Sequence, residues 1–531
     1  MLPLRTGSLL CDYLLRLSAL SILLCVAVAI RRIYFHPLSA YPGPKLWAAT
    51  RVPYVVSLLR GTLNERMLEL HEKYGDVVRL APDELSYACE EAWRDIYMHR
   101  PGHKEVVKDD VWYFAPNGMP QNIVTTTSTQ VRARMRRLLA PSFSEQSLRA
   151  QGPVLEHYAA LLMDRLKNLH ATRTPPPTDQ KHVVVNLTDW LNFYTMDIIG
   201  DLAIGSSFHC LDTTAYHPWV RTLYMFYKGM IYAAAARFFP VTSFLLEYCI
   251  PAKILAMQRQ HTEFTNEKIL QRLELEDTLE KGGEAGKGAG RPDLVTPFIK
   301  AMRTSPEKMS LAEIQSTFAV ILVAGSETTA TTLLGVFYKL ATHQGVQDKL
   351  YQTLRERFEY ESQIDVETTR ELVYLDAVIS EALRLCYAIP GGLPRVVPRG
   401  GEIYGGRWLP GGTKLSIRPH VIFHSPTCFY WPWEFVPERW LPVSQRPKEH
   451  ANDRLSACQP FSVGPTNCIG KALAWAEMRV VVAKLVWGFE VSMTERGDGD
   501  EFCWEKQHMM MLVEKGDLWV GLRRRKGEEM G

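Results

Sequence analysis

Residues 17–30, LSALSILLCVAVAI, carry no charge, and the apolar stretch reaches back to Tyr13 across Arg16. Eighteen residues at 1.5 Å rise span about 27 Å, enough to cross a bilayer core of ~30 Å. Arg16 lies near one end, where a long stem lets the guanidinium reach the headgroups. A cleaved signal peptide is the competing reading, because Ala27-Val28-Ala29 resembles a cleavage site. The Arg31-Arg32 pair that follows at once favours a membrane anchor over residues 1–34, with the rest of the chain on the cytosolic side. The next ten residues, FHPLSAYPGP (35–44), hold three prolines and cannot continue a helix. They open a proline-rich hinge, 35–50, that turns the chain away from the membrane. Residues 51–531 must then fold on their own.

That remainder is long enough for a large core and more than one lobe. The chain is 46% hydrophobic and 22% charged with a net charge of only +3, so nucleic acid and polyanionic substrates are not expected partners. Its ten cysteines, at 11, 25, 89, 210, 249, 386, 428, 458, 468 and 503, include no C-x-x-C pair and no zinc or disulfide spacing. They read as reduced thiols, most of them small buried hydrophobes.

Helical periodicity dominates, over 129–140, 154–170, 187–204, 310–342, 346–358 and 370–386. Strand patterns are fewer and shorter: 76–80, 414–418 and 517–522. Residues 281–292, KGGEAGKGAGRP, read as a flexible connection; no G-K-[ST] follows to make them a nucleotide loop. The fold class is mainly α with a minor β lobe, preceded by an N-terminal transmembrane helix.

The most informative stretch is PFSVGPTNCIG (460–470), a cysteine in a glycine-bearing loop directly ahead of the helical run KALAWAEMRVVVAKLVW. A helix N-terminus offers free N–H groups and partial positive charge, and both favour a thiolate. Gly464 and Gly470 let backbone amides come close to the sulfur. A structural cysteine near a turn has the same local signature. The stretch resembles the haem-binding signature F-x-x-G-x-R-x-C-x-G of the cytochrome P-450 superfamily, matched at Phe461, Gly464, Cys468 and Gly470. Thr466 stands at the arginine position.

Further matches follow in family order. AGSETT (324–329), inside the helical pattern 310–342, resembles the oxygen-activating motif. A glycine and consecutive hydroxyls lower helix propensity there, and helices often kink or bulge at such places. The resemblance gives Thr328 the water network at dioxygen and Glu327 the proton supply. Without it, Glu327 reads as a surface acid and the threonines as back-bonded to the helix. Glu381-Ala-Leu-Arg384 and Pro437-Glu-Arg439-Trp440 resemble the E-x-x-R and P-E-R-[FW] segments, which implies that Glu381, Arg384 and Arg439 lock the core. RARMRR (132–137) resembles the helix that holds a haem propionate, with Arg136 at the propionate arginine, and Leu393-Pro394-Arg395 resembles a second clamp. Guanidinium forks suit carboxylates. Arg132 stands where the family has His or Trp. It shares a helix face with Arg136, and it is expected to compensate for Thr466.

The resemblance implies the cytochrome P-450 fold and haem b with Cys468 as axial ligand of the iron. It also implies dioxygen as co-substrate and a separate NADPH-cytochrome reductase, since the chain has no room for flavin domains. The expected location is single-pass in the endoplasmic reticulum membrane with a cytosolic catalytic domain. The substrate is expected to be a lipophilic small molecule, walled by 101–124 with Trp112, Tyr113 and Phe114, by Phe318 and Ala324, by 389–393 and by 509–511. The hinge wording further resembles fungal enzymes of secondary metabolism. Two other readings remain: a haem-thiolate isomerase or dehydratase, which the retention of Glu327 and Thr328 opposes, and a non-catalytic membrane-bound haem or lipid-binding protein.

Overall fold

The computed structural model describes residues 3–115, 119–171, 182–217, 229–248, 252–281, 293–304, 309–494 and 502–525. The connection expected at 281–292 lies outside them from residue 282 on; Lys281 closes the helix Ala252–Lys281. Helix α1, Pro3–Tyr34, ends in Arg31 and Arg32. Its stretch Asp12–Tyr34 is long and apolar enough to cross a membrane, and the rest of the chain leaves it uncovered. Arg16 pairs with Asp12 at 2.9 Å, so the one cation inside the apolar run has a local partner. At the far end Arg32 donates to the Ala49 carbonyl at 2.9 Å. The hinge is itself packed: Leu38 is fully buried, and the Arg79 amide donates to the Pro42 carbonyl at 2.8 Å.

The long helices expected from periodicity form with small changes at their ends. They are α2 (Thr129–Leu139), α3 (Glu145–Ala171), α4 (Leu187–Ile204), α5 (Leu311–Thr342), α6 (Gln344–Arg357) and α7 (Val373–Leu385). Helix α3 starts well before the expected 154 because Pro153 is carried inside it. The proline removes one amide donor, and the buried Leu148, Val154, Leu155 and Tyr158 hold the two halves on one core. Residues 368–371 form a separate 3₁₀ turn ahead of α7 rather than its first turn. Helix α8, Lys471–Gly488, follows the Cys468 loop.

Helix α5 is the axis of the core. Ser310 and Glu313 close a reciprocal capping box at its start, with the Glu313 amide 3.2 Å from Ser310 Oγ and the Ser310 amide 2.9 Å from Glu313 Oε2. It packs against α4, α7 and α8. Although long and apolar enough to span a bilayer, it is mostly buried in protein, as a core helix is. A five-stranded sheet lies beside this bundle. Its strands are β1 (Val77–Ala81), β2 (Glu84–Tyr87), β3 (Val107–Lys108), β4 (Arg395–Val396) and β5 (Lys414–Ile417), in the order β1-β2-β5-β4-β3, with only β2 and β5 parallel. The last expected strand, Trp519–Arg524, is the middle of a three-stranded sheet between Val183–Asn186 and Phe489–Met493.

Candidate active site

The cysteine loop is shaped by backbone constraints. Gly464 has φ +75°, and a Cβ there would sit 2.0 Å from the Tyr97 carbonyl, so only glycine fits. Ser462 takes φ +58° just before it, and the Cys468 amide donates to the Phe461 carbonyl at 2.9 Å, closing the loop. Cys468 is exposed, in contrast to buried Leu473 and Ala476 on the helix that follows. Although the residue keeps exposed surface, the protein packed around its sulfur pushes the thiol up, while the Gly470 amide, Arg136 and Lys471 pull it down. Those three are donors or cations aimed at a thiolate.

Two arginines grip the same loop from different elements. Arg136 of α2 donates to the Asn467 carbonyl at 2.8 Å and to its Oδ1 at 2.5 Å. Arg395 of β4, almost fully buried, donates to Thr466 Oγ1 at 2.9 Å and lies over the Tyr97 ring at 5.0 Å. Arg132 is also buried, but its guanidinium pairs with Glu105 at 2.6 Å and makes no hydrogen bond to the loop. Lys108 of β3 completes the group. It is bonded to the carbonyls of Ile123 at 3.1 Å and Val124 at 2.7 Å, and burial together with Arg395 and Arg132 drives its ammonium down to about 7. No local signal along the chain marks Lys108, since only pairing of β3 with β4 brings it to Arg395.

The second motif sits at mid-length of α5, and the helix runs through it without a break. Gly325 is there for packing: a Cβ would meet Ile199 Cδ1 of α4 at 2.5 Å. The hydroxyls of Ser326, Thr328, Thr331 and Thr332 each donate to the carbonyl four residues earlier, at 2.6–2.9 Å, so none competes with the helix for its amides. Ala324 is exposed and Thr328 partly so, among buried neighbours. Glu327 is buried and forms an ion pair with Lys515 at 2.9 Å. Lys515 also donates to Asn192 Oδ1 at 3.0 Å.

A cavity of about 570 Å³ lies along α5, which contributes Ser316, Val320, Val323 and Glu327 as one helical stripe. Ala324, expected as a wall, and Thr328 are not among the residues that line it. Of the expected walls, Trp112, Tyr113, Phe114, Met510 and Met511 line this cavity. Phe318 instead packs edge-on against Phe298 at 5.4 Å, and Met509 and residues 389–393 are not on the wall. Residues 116–118 of the segment 101–124 lie outside the described structure.

The expected core lock is present and dry. Glu381, Arg384 and Arg439 have no exposed side-chain surface. Glu381 accepts from Arg384 at 2.7 and 2.9 Å, from Arg439 at 2.9 Å and from the Trp440 indole at 2.8 Å. Burial pushes its carboxyl up, but Arg384 and Arg439 outweigh that and hold it below the ordinary carboxylate range.

A family model for cytochrome P450 matches residues 42–519. The chain is 37% identical to cytochrome P450 monooxygenase astJ of Aspergillus oryzae, over 93% of each protein. It is 36% identical to averantin hydroxylase of Dothistroma septosporum, over 99% of this chain and 94% of the relative. It is also 36% identical to versicolorin B desaturase stcL of Emericella nidulans, over 93% of this chain and 95% of the relative.

Proposed function

This chain belongs to the cytochrome P450 family and is one of its monooxygenases; from that premise we propose that Cys468 would hold the haem iron as its thiolate ligand. We infer further that it oxidises a lipophilic small molecule in fungal secondary metabolism, as similarity to averantin hydroxylase and versicolorin B desaturase suggests. The observation that carries the reading is the cysteine loop itself. An exposed Cys468 is met by the Gly470 amide at a helix start and flanked by Arg136.

The residues present suit a haem. The sulfur is a soft anionic ligand once deprotonated, and a coordinated thiol is deprotonated outright. Lys108, Arg132, Arg136 and Arg395 cluster, and among the described residues Glu105 is the one acid paired to them, a surplus of positive charge fitted to carboxylates. Arg136 and Arg395 would hold the propionates, with Arg132 behind them, while Phe461, Gly464 and Gly470 shape the loop. A thiolate-ligated haem supplies the activation of dioxygen.

The chain's own residues bind substrate and handle protons. Thr328 Oγ1 gives its hydrogen to the Ala324 carbonyl, which leaves its lone pairs free to accept from water. Glu327 Oε2 has no hydrogen-bond partner among the described residues and can take and release a proton beside Thr328. Trp112, Phe114 and Met510 exclude water from a lipophilic substrate. Electrons come from a separate NADPH-dependent reductase, and α1 holds the protein at the endoplasmic reticulum membrane.

The test is NADPH consumption by the purified protein with reductase, with and without an added lipophile. Consumption that rises with the lipophile and is matched by oxygenated product supports the reading. Turnover without NADPH would mean an isomerase or dehydratase, and haem binding without turnover a non-catalytic protein.

A further inference from the structure

The cavity beside α5 has two unlike walls. One is aromatic and sulfur-rich, with Trp112, Phe114 and Met510. The other is polar and comes from distant parts of the chain: Asn192 of α4, Tyr216, Glu327 of α5 and Lys515 of the C-terminal segment. These groups form one connected chain of bonds. Asn192 donates to the Tyr216 hydroxyl at 3.0 Å, and Tyr216 donates to Asp189 at 2.8 Å.

Two hydrogen-bonding capacities here are unspent among the described residues. The Lys515 ammonium has three donors: Asn192 Oδ1 takes one at 3.0 Å, and Glu327 Oε1 stands opposite a second as its ion-pair partner at 2.9 Å. Its side chain is only 6% exposed, so bulk water does not absorb the third. Glu327 Oε2 is buried and lacks a donor among the described residues. An unpaired donor and an unpaired acceptor on one buried ion pair are costly to leave unmet and match a single group that can both accept and donate. A hydroxyl is the smallest substituent on a hydrocarbon body that does both.

We propose that Lys515 is a specificity-determining residue: with Glu327 it selects substrates that are apolar and aromatic but carry a hydroxyl. The hydroxyl oxygen accepts from Lys515 Nζ and its hydrogen goes to Glu327 Oε2, while the hydrocarbon body lies against Trp112, Phe114 and Met510. A purely hydrocarbon ligand of the same shape fills the cavity but leaves both groups unmet. This rests on the monooxygenase reading above and adds the chemical class of the substrate.

Pyrene and 1-hydroxypyrene are a matched pair of probes, titrated into the haem-loaded full-length protein and followed by the blue shift of the Soret band. The hydroxyl makes the probe less hydrophobic, so burial alone favours pyrene. The proposal predicts that 1-hydroxypyrene binds about tenfold more tightly to the wild type. In Lys515→Met the preference falls to within about twofold, because pyrene keeps its affinity and 1-hydroxypyrene loses it. Equal or weaker binding of 1-hydroxypyrene by the wild type overturns the proposal, and so does a Soret shift of the opposite sense, which marks the hydroxyl at the iron. The wild-type comparison decides even where the variant does not fold. A protein with no thiolate-type carbon monoxide spectrum fails the earlier reading instead, so the two failures are distinct.

Discussion

Arg395 Nη2 donates to Thr466 Oγ1 at 2.9 Å, joining the short strand β4 to the cysteine loop at the position where the family signature has an arginine. An arginine at 466 would put two guanidinium groups side by side. Threonine instead supplies an acceptor, so at this point one cation is tied down by a neutral hydroxyl.

Haem retention should therefore couple Thr466 to Arg395 more strongly than to Arg132, which is paired with Glu105. In double-mutant cycles on the rate of haem loss, Thr466→Val with Arg395→Gln should deviate from additivity by about 0.5–3 kcal/mol, as contacting residues do. Thr466→Val with Arg132→His should be additive within about 0.5 kcal/mol. The reverse ranking would restore Arg132 as the residue that compensates for Thr466.

The core lock gives a stability prediction. Glu381→Gln leaves Arg384 and Arg439 facing each other without their carboxylate, at a cost of about 3–5 kcal/mol. Because the folded carboxyl is held below its ordinary range, it contributes stability above the unfolded pKa, and that contribution is lost as pH falls through the folded one. Thermal unfolding of the wild type should thus weaken toward acid, and the gap to Glu381→Gln should narrow there. A constant gap across acidic pH would mean that the charge of Glu381 does not matter.

How much of this was legible in the sequence follows the range of each interaction. The cysteine loop is local, and the spacing of its residues along the chain was enough to single it out; the capping box of α5 is just as local but was not read from the sequence. Helix ends were less legible: the helix expected to start at 154 starts at 145, with Pro153 inside it and buried residues on both sides. Helix α5 is continuous through 324–329, and Gly325 there answers to Ile199 of another helix. Lys108, Asn192 and Lys515 left no trace, since each meets its partner only through tertiary packing.

Thr328→Ala should leave NADPH oxidation running while peroxide replaces much of the oxygenated product, and Thr328→Ser should restore coupling. The hydroxyl's lone pairs are free to hold water because its hydrogen is spent on Ala324. Measuring peroxide against product per NADPH checks this; unchanged coupling in the alanine variant would make Thr328 a packing residue.

Deleting residues 1–35 should release much of the protein from membranes without loss of its haem spectrum. The apolar stretch of α1 contributes no buried residue to the core, and the buried Leu38 that closes onto the core is retained. Sedimentation after membrane washing reads the release. A truncated chain that fails to load haem would show that α1 belongs to the catalytic core.

The most direct test of the whole account is the ferrous carbon monoxide spectrum of the wild type beside Cys468→Ser. The account predicts the red-shifted Soret band of thiolate ligation in the wild type and its loss in the serine variant, with the chain still expressed. The same band persisting in Cys468→Ser would contradict it, because the iron would then have another ligand.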